Sequence, residues 1–306
     1  MTLSEVLDTY ITDFAFTGVY IYSDDFVYVK AIIKSLDNQE VNHTIMLRWY
    51  AGEWGQYMIP TIVPSHCVIS EPKRKVLALS PDGAIHVATS QGFSWEYLDT
   101  QEDGPNSLRA VLEIKEISNS VYAVGMGRQV YKRTAQNTWV RWDNGIRGNR
   151  NIDSIGGFKS IDGYSENELY AVGFKGEIWR FDGIIWRLLD SPTNIKLEKV
   201  KCVSPDSTFI CGGNGIFIKG NMDLWTVIEQ DVINSTLWGI EYFKGKVYMA
   251  DNSSIYTFDG KKIEKVDTRL GENLTTSYLH ANDNFLWSVG ERNILIYDGY
   301  EWKKVF

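Results

Sequence analysis

Leu169-Tyr-Ala-Val-Gly173 followed by Gly176-Glu-Ile-Trp-Arg-Phe-Asp-Gly-Ile-Ile-Trp186 returns near the end of the chain as Leu286-Trp-Ser-Val-Gly290 with Ile294-Leu-Ile-Tyr-Asp-Gly-Tyr-Glu-Trp302. Each copy reads as a strand ending in a small residue, a turn, a second strand, a tight Asp-Gly turn, and a Trp that opens a further strand. Weaker copies fall at Val121 to Trp139, Phe209 to Trp225 and Val247 to Ile263. The residues opening the last strand of each unit are Trp54, Trp95, Trp139, Trp186, Trp225, Ile263 and Trp302, at intervals of 41, 44, 47, 39, 38 and 39. A unit of about 40 residues with four short alternating strands has the size of one propeller blade, a twisted sheet that cannot bury both faces alone. The expected fold is therefore all-β: a seven-bladed β-propeller closed as a single ring. Residues 1–306 are read as one domain, with blades near 18–60, 61–100, 108–143, 152–190, 195–230, 235–268 and 275–306.

Each repeated mark has a physical reason. In the Asp-Gly pairs at 182–183, 259–260 and 298–299, glycine can take the positive φ that a tight hairpin turn demands. The Trp that follows is large enough to fill the gap that widens between splayed blades. Ile263 departs from this pattern and predicts one thinner contact. The remaining Trp49, Trp142, Trp179, Trp238 and Trp287 read as strand residues. In the least regular unit, the first, strands are expected at Gly18 to Ser23, Phe26 to Ser35, Thr44 to Tyr50 and Trp54 to Ile59, with an enlarged turn from Leu36 to His43. Ahead of it Leu3, Val6, Leu7, Tyr10, Ile11 and Phe14 share one helical face, and Thr2 and Glu5 can form a capping box. A short N-terminal helix within residues 1–17 is expected; a strand from Tyr10 to Phe16 is the competing reading.

Composition narrows the function classes. The chain has 306 residues, 44% hydrophobic and 23% charged, with a net charge of -8. That is the make-up of a folded globular protein, and the negative charge argues against nucleic acid, which is held by clustered Lys and Arg. No apolar stretch is long enough to span a membrane. Met1 to Phe14 carries Glu5, Asp8 and Asp13 rather than a basic region ahead of an apolar run, so a cytoplasmic location is expected. Cys67, Cys202 and Cys211 are odd in number and lack metal-ligand spacing, which reads as buried thiols. The histidines, His43, His66, His86 and His280, are scattered, so neither metal nor cofactor is expected.

The repeats resemble a broad bacterial β-propeller family whose units read Trp/Tyr-Ala-Val-Gly, two residues, Gly, a strand, Asp-Gly, two residues and Trp. The resemblance covers about residues 110–306 well and 1–109 loosely. Sialidase-type and photosystem-assembly-factor-like propellers share this shape, so the resemblance implies a fold more than an activity. Recurring Gly-His and Trp-Asp pairs are missing, and the Gly-Gly doublets at 156–157 and 212–213 do not repeat as kelch units require.

A sialidase-like hydrolase needs an arginine cluster, a tyrosine nucleophile and an acidic partner. No local motif frames Arg48, Arg109, Arg128, Arg180 or Arg292 in that way. A tectonin-like lectin is suggested only by Trp238-Gly-Ile240. What remains is a non-catalytic protein-binding platform. Its contacts are expected on the rim that carries the long connections Asp99 to Leu108, Asp143 to Gly157 and Asp267 to Thr276, together with the turns between second and third strands. The candidate partner-binding residues are Glu102, Asp103, Arg147, Arg150 and Glu272 on the connections, and Arg128, Lys175, Asn214, Asp251 and Arg292 on the turns. A compact, acidic, bacterial-looking chain of this kind suits an immunity protein that neutralises a cognate toxin, the toxin being basic and the protein a monomer on its own. Lectin and glycoside hydrolase are the alternatives.

Overall fold

A computed structural model describes residues 13–70, 73–98, 104–146 and 156–306. They form seven four-stranded antiparallel sheets spanning 14–59, 65–97, 111–141, 158–188, 197–227, 239–265 and 278–304, each with its strands in chain order. Short alternating strands joined by turn residues can pair only with their sequence neighbours, which makes each sheet a meander. The chain divides into two compact units, Met1–Ile62 with Gln230–Phe306, and Val63–Glu229.

The second unit holds the second to fifth sheets. Trp186 opens the last strand of the fourth sheet opposite Phe181 and is 1% exposed. It is buried against Tyr122, Val124 and Val130 of the third sheet, and its indole N–H donates to the Trp142 carbonyl at 2.7 Å. Trp139 of the third sheet reaches back in the same way, donating to Glu96 of the second at 3.0 Å. The Glu96 carboxylate also takes two bonds from Arg133, at 2.8 and 2.7 Å. Desolvation pushes this carboxyl up, but the bonds from Arg133 and Trp139 outweigh it and hold it below the usual range. Trp225 is half-buried, edge-on to Tyr170 at 5.5 Å. Along the first strands, Glu113 accepts the Ile161 N–H at 2.6 Å and Asp162 accepts the Cys202 N–H at 2.8 Å, so each sheet's carboxylate fixes the backbone of the next. Lys115 neutralises Asp162 at 3.0 Å and Lys199 pairs with Glu113.

The first unit holds the first, sixth and seventh sheets. Its largest core joins the two ends of the chain: Phe14, Phe16, Val27, Val29 and Leu47 pack with Trp287, Val289 and Ile294. The Phe16 ring meets Phe306 at 4.9 Å, and Ile21 N–H donates to His280 Nδ1 at 3.2 Å. The first and seventh sheets thus pack face to face with no strand shared between them. Trp302 is buried against the sixth sheet, stacked on Tyr297 at 4.8 Å. Ile263 is itself 8% exposed.

Several expectations need correction. Phe14, Ala15 and Phe16 belong to the strand Phe14–Ser23 rather than to a helix, because both Phe rings are needed in the core shared with the seventh sheet. The rest of the expected helix lies outside the described residues. The second strand ends at Ile33, and a helical turn, Lys34–Asp37, replaces its expected end, with Ser35 N–H bonded to Asp13 at 3.1 Å. Trp142 follows the strand Thr138–Arg141 and Trp238 precedes Gly239–Phe243, so neither is a strand residue. Trp95 is 36% exposed and does not act as a buried wedge; in its strand the buried residue is Glu96, whose charge needs Arg133.

Candidate functional site

The turns joining second and third strands are shaped by the glycine that ends the second strand. A Cβ on Gly173 would stand 2.1 Å from the Gly157 carbonyl oxygen, one on Gly125 2.4 Å from that of Ala110, and one on Gly212 2.3 Å from that of Lys196. Those same carbonyls accept the next N–H groups of the turns, from Phe174 at 3.0 Å, Met126 at 2.9 Å and Gly213 at 2.9 Å. Gly173 has φ 177, so close approach rather than a left-handed backbone requires it. Tied down in this way, each turn puts two successive residues into the left-handed region: Gly127 (φ 65) and Arg128 (φ 56), Lys175 (φ 60) and Gly176 (φ 72), and Asn214 (φ 52) and Gly215 (φ 70).

The candidate residues then separate by burial. Arg128 is 4% exposed and clasps Glu177 with two bonds, at 2.6 and 2.5 Å; Glu177 also receives the Trp179 indole N–H at 3.0 Å. This arginine joins the third and fourth sheets. Asp251, likewise 4% exposed, is the hub of the sixth sheet's turn. It accepts Ser253 N–H at 2.8 Å, Ser254 N–H at 2.7 Å, Ser235 Oγ–H at 2.5 Å and Tyr256 O–H at 3.0 Å. Burial raises its carboxyl pKa, but these donors prevail and lower it.

Lys175 and Asn214 are exposed on successive turns of the second unit. Glu272 and Arg292 are exposed in the first, Glu272 on the connection to the seventh sheet and Arg292 on that sheet's turn. The Arg292 backbone is held there by Thr275, whose Oγ1 accepts its N–H at 2.8 Å. Glu102, Asp103, Arg147 and Arg150 lie outside the described residues. A feature that the sequence reading missed lies beside Lys175: the Lys196 ammonium sits 5.6 Å over the Phe174 ring and 2.6 Å from Glu198. The missed partner of Arg128, Glu177, stands two residues before Trp179, a strand spacing that puts both on one face.

Among the described residues no group of His, Cys, Asp or Glu is placed to hold a metal ion. None of the three cysteines is in a disulfide, and burial pushes each thiol pKa far up, which makes them poor nucleophiles. Of the arginines weighed for a hydrolase, Arg128 is committed to Glu177 and Arg180 lies 3.3 Å from Glu168. Among the described residues no helix is long and apolar enough to cross a membrane.

No family model matches the chain. It is 32% identical over 297 residues to the immune protein Tsi7 of Pseudomonas aeruginosa PAO1, an alignment covering 94% of this chain and 96% of that one. Among solved structures it is similar to the WD40 β-propeller domain of Doa1, with a TM-score of 0.70 at 11% identity over 93% of this chain and 92% of that one. It is also similar to YCF48 from Cyanidioschyzon merolae, with a TM-score of 0.68 at 11% identity over 93% and 96%. A further YCF48 structure, bound to D1 peptide, gives 0.66 at 13% identity over 93% and 91%. These likenesses show the fold, and the seven sheets are the blades of an all-β seven-bladed propeller.

Proposed function

This chain belongs to the family of the immune protein Tsi7, and from that premise we propose that it is an immunity protein, a non-catalytic propeller that binds and neutralises a cognate toxin. The observation that carries the reading is the end-to-end match, 94% of one chain against 96% of the other, so the relative's whole length is accounted for by this fold. A propeller suits the task because its sheets hold the connecting loops in place, and preorganised loops lose little entropy on binding. The proposed contacts are the exposed Lys175, Asn214, Glu272 and Arg292, with Glu102, Asp103, Arg147 and Arg150 from the long connections. Arg128 and Asp251 keep the turns in shape beneath them. With a net charge of -8, the protein favours encounter with a basic toxin surface. The setting is the bacterial cytoplasm, and the unbound protein is monomeric.

The test is co-expression with the toxin encoded beside it, scored as growth rescue, followed by calorimetry on the purified pair. Rescue with a stoichiometric complex is expected, and no hydrolysis of sialosides or other glycosides. Continued growth arrest while the folded protein accumulates would sink the reading.

A further inference from the structure

At the seam between the third and fourth sheets Trp186 sinks to 1% exposure, and between the sixth and seventh Trp302 sinks to 8%. The corresponding Trp54 of the first sheet stays half-buried at the seam with the seventh. Beside it a cavity of about 350 Å³ lies open, at the small end of the range that holds ligands. Its apolar lining is made by the half-buried Trp49, Phe285 and Ile296, with the buried Trp287 (1% exposed) beneath them. The two indoles stand 5.7 Å apart at 59°. Such walls suit an apolar stem and offer aromatic faces to a cation.

The mouth is carboxylate-rich. Asp24, Asp298 and Glu301 line it, and Asp25 and Asp283 are exposed beside it in sequence. Asp24 is held by the amide groups of Asn282 and Asn284, at 2.8 and 2.7 Å, which spend one acceptor site on each of its oxygens and leave others open. Lys303 and Lys304 line the same cavity; Lys303 lies 2.7 Å from Glu301, and Lys244 donates to the Asp298 carbonyl. Carboxylates therefore outnumber the lysines, Lys244, Lys303 and Lys304. Tyr300, 91% exposed on the same turn with the Lys244 ammonium 5.4 Å over its ring, extends the surface past the cavity.

We propose that this seam is a binding site for an arginine side chain presented by a protein partner, its stem lying over the half-buried Trp49, Phe285 and Ile296 and its guanidinium meeting Asp24 and Asp298. The site is on the side of the tight Asp-Gly turns, apart from the loop tips assigned above, and does not depend on the immunity reading. A planar guanidinium offers two parallel donors to a carboxylate and stacks on indole, whereas a compact ammonium does only the first part of this poorly.

The experiment titrates the full chain with acetyl-Gly-Arg-Gly-amide, and with its Leu and Lys counterparts, while following the indole N–H resonances of Trp49 and Trp287 by NMR. Saturable shifts are expected with the Arg peptide, at least about fivefold weaker in Asp24→Asn and Asp298→Asn, the scale of one charge-assisted contact. Asn keeps both turn bonds at position 298, where one oxygen accepts them, and one of the two amide bonds at position 24. Ile296→Phe, which fills the cavity without removing any wall, should abolish the shifts while leaving the unfolding midpoint near that of the parent. Equal binding of the Leu peptide without salt dependence would overturn the cation site, as would no saturable shift with any peptide. Growth rescue by the parent chain tests the immunity reading separately, so the two can fail independently.

Discussion

Two kinds of glycine recur in this chain, and they differ in what a methyl group would do. At Gly260 an added Cβ meets nothing within 4 Å but is strained by φ +97, whereas at Gly173 the backbone is extended and the Cβ would lie 2.1 Å from a carbonyl oxygen. Gly260→Ala should therefore cost about 1–3 kcal/mol, the usual cost of an L side chain in that region. Gly173→Ala should cost more, because the turn must separate from the strand entry; urea unfolding of both variants checks the order. The aspartates of the tight turns belong to the same scale. Asp182, Asp259 and Asp298 accept paired backbone N–H groups two and three residues ahead, and those donors hold their carboxyls below the usual value. A carboxyl lowered in the folded state contributes its stability in full above the unfolded value, 3.8 here, and loses it as pH falls through the folded value. Stability should drop below about pH 4, the three turn aspartates adding to the lowered carboxyls of Glu96 and Asp251. Asp259→Asn, which keeps both bonds, should remove its own share of that drop in urea midpoints measured across the range.

At the scale of the element, the outer-strand Trp is the test of whether the repeat was read correctly. Trp186→Ala should cost about 3–5 kcal/mol, because it empties a packed seam and leaves the Trp142 carbonyl without its donor. Trp95→Ala should cost clearly less, about 1–2 kcal/mol, since that side chain is 36% exposed and packs mainly on His86 of its own sheet. Equal costs in thermal or urea unfolding would mean that the Trp marks do not measure seam packing. The contrast also shows how far the sequence could be read. Spacing placed a mark in each of the seven outer strands, although Trp95 is the fourth residue of Gly92–Tyr97 rather than the one that opens it, and the sixth mark is Ile263. Spacing could not tell which Trp would sink, since that depends on the facing sheet: Glu96 with Arg133 and Trp139 occupies the second sheet's buried side, and Trp95 points away from it. Of the candidate contacts, sequence placed Arg128, Lys175, Asn214, Asp251 and Arg292 on turns but did not show which are buried. Arg128 and Lys175 are both cations on equivalent turns, but Arg128 is the second left-handed residue of its turn, after Gly127, and reaches Glu177, whereas Lys175 is the first, before Gly176, and stays exposed. The seam cavity was invisible for the same reason, being made by residues some 240 positions apart, such as Trp49 and Trp287.

For the molecule as a whole, two consequences follow from long range rather than from local order. The first unit is built from both ends of the chain, and Phe16 packs on Phe306 while its N–H donates to the Glu291 carbonyl at 3.0 Å. Phe306→Ala should therefore speed amide hydrogen exchange in the strand Phe26–Ile33, far away in sequence, and leave Leu169 to Gly173 of the second unit protected; the reverse pattern would contradict the shared core. The second consequence is electrostatic and rests on the proposed toxin partner. A net charge of -8 attracts a basic surface before contact, and the attraction weakens as salt shortens its range to about 8 Å at physiological strength. Steering of this kind acts on association more than on dissociation. Lys substitutions at Glu102, Asp103 and Glu272 together reverse the charge of the acidic connections, so they should slow association with the toxin and flatten its salt dependence, with dissociation little changed. Stopped-flow binding at two ionic strengths reads both. Association that stays unchanged would move the interface off these connections and toward the carboxylate-lined seam, where Asp24→Asn should then slow it instead.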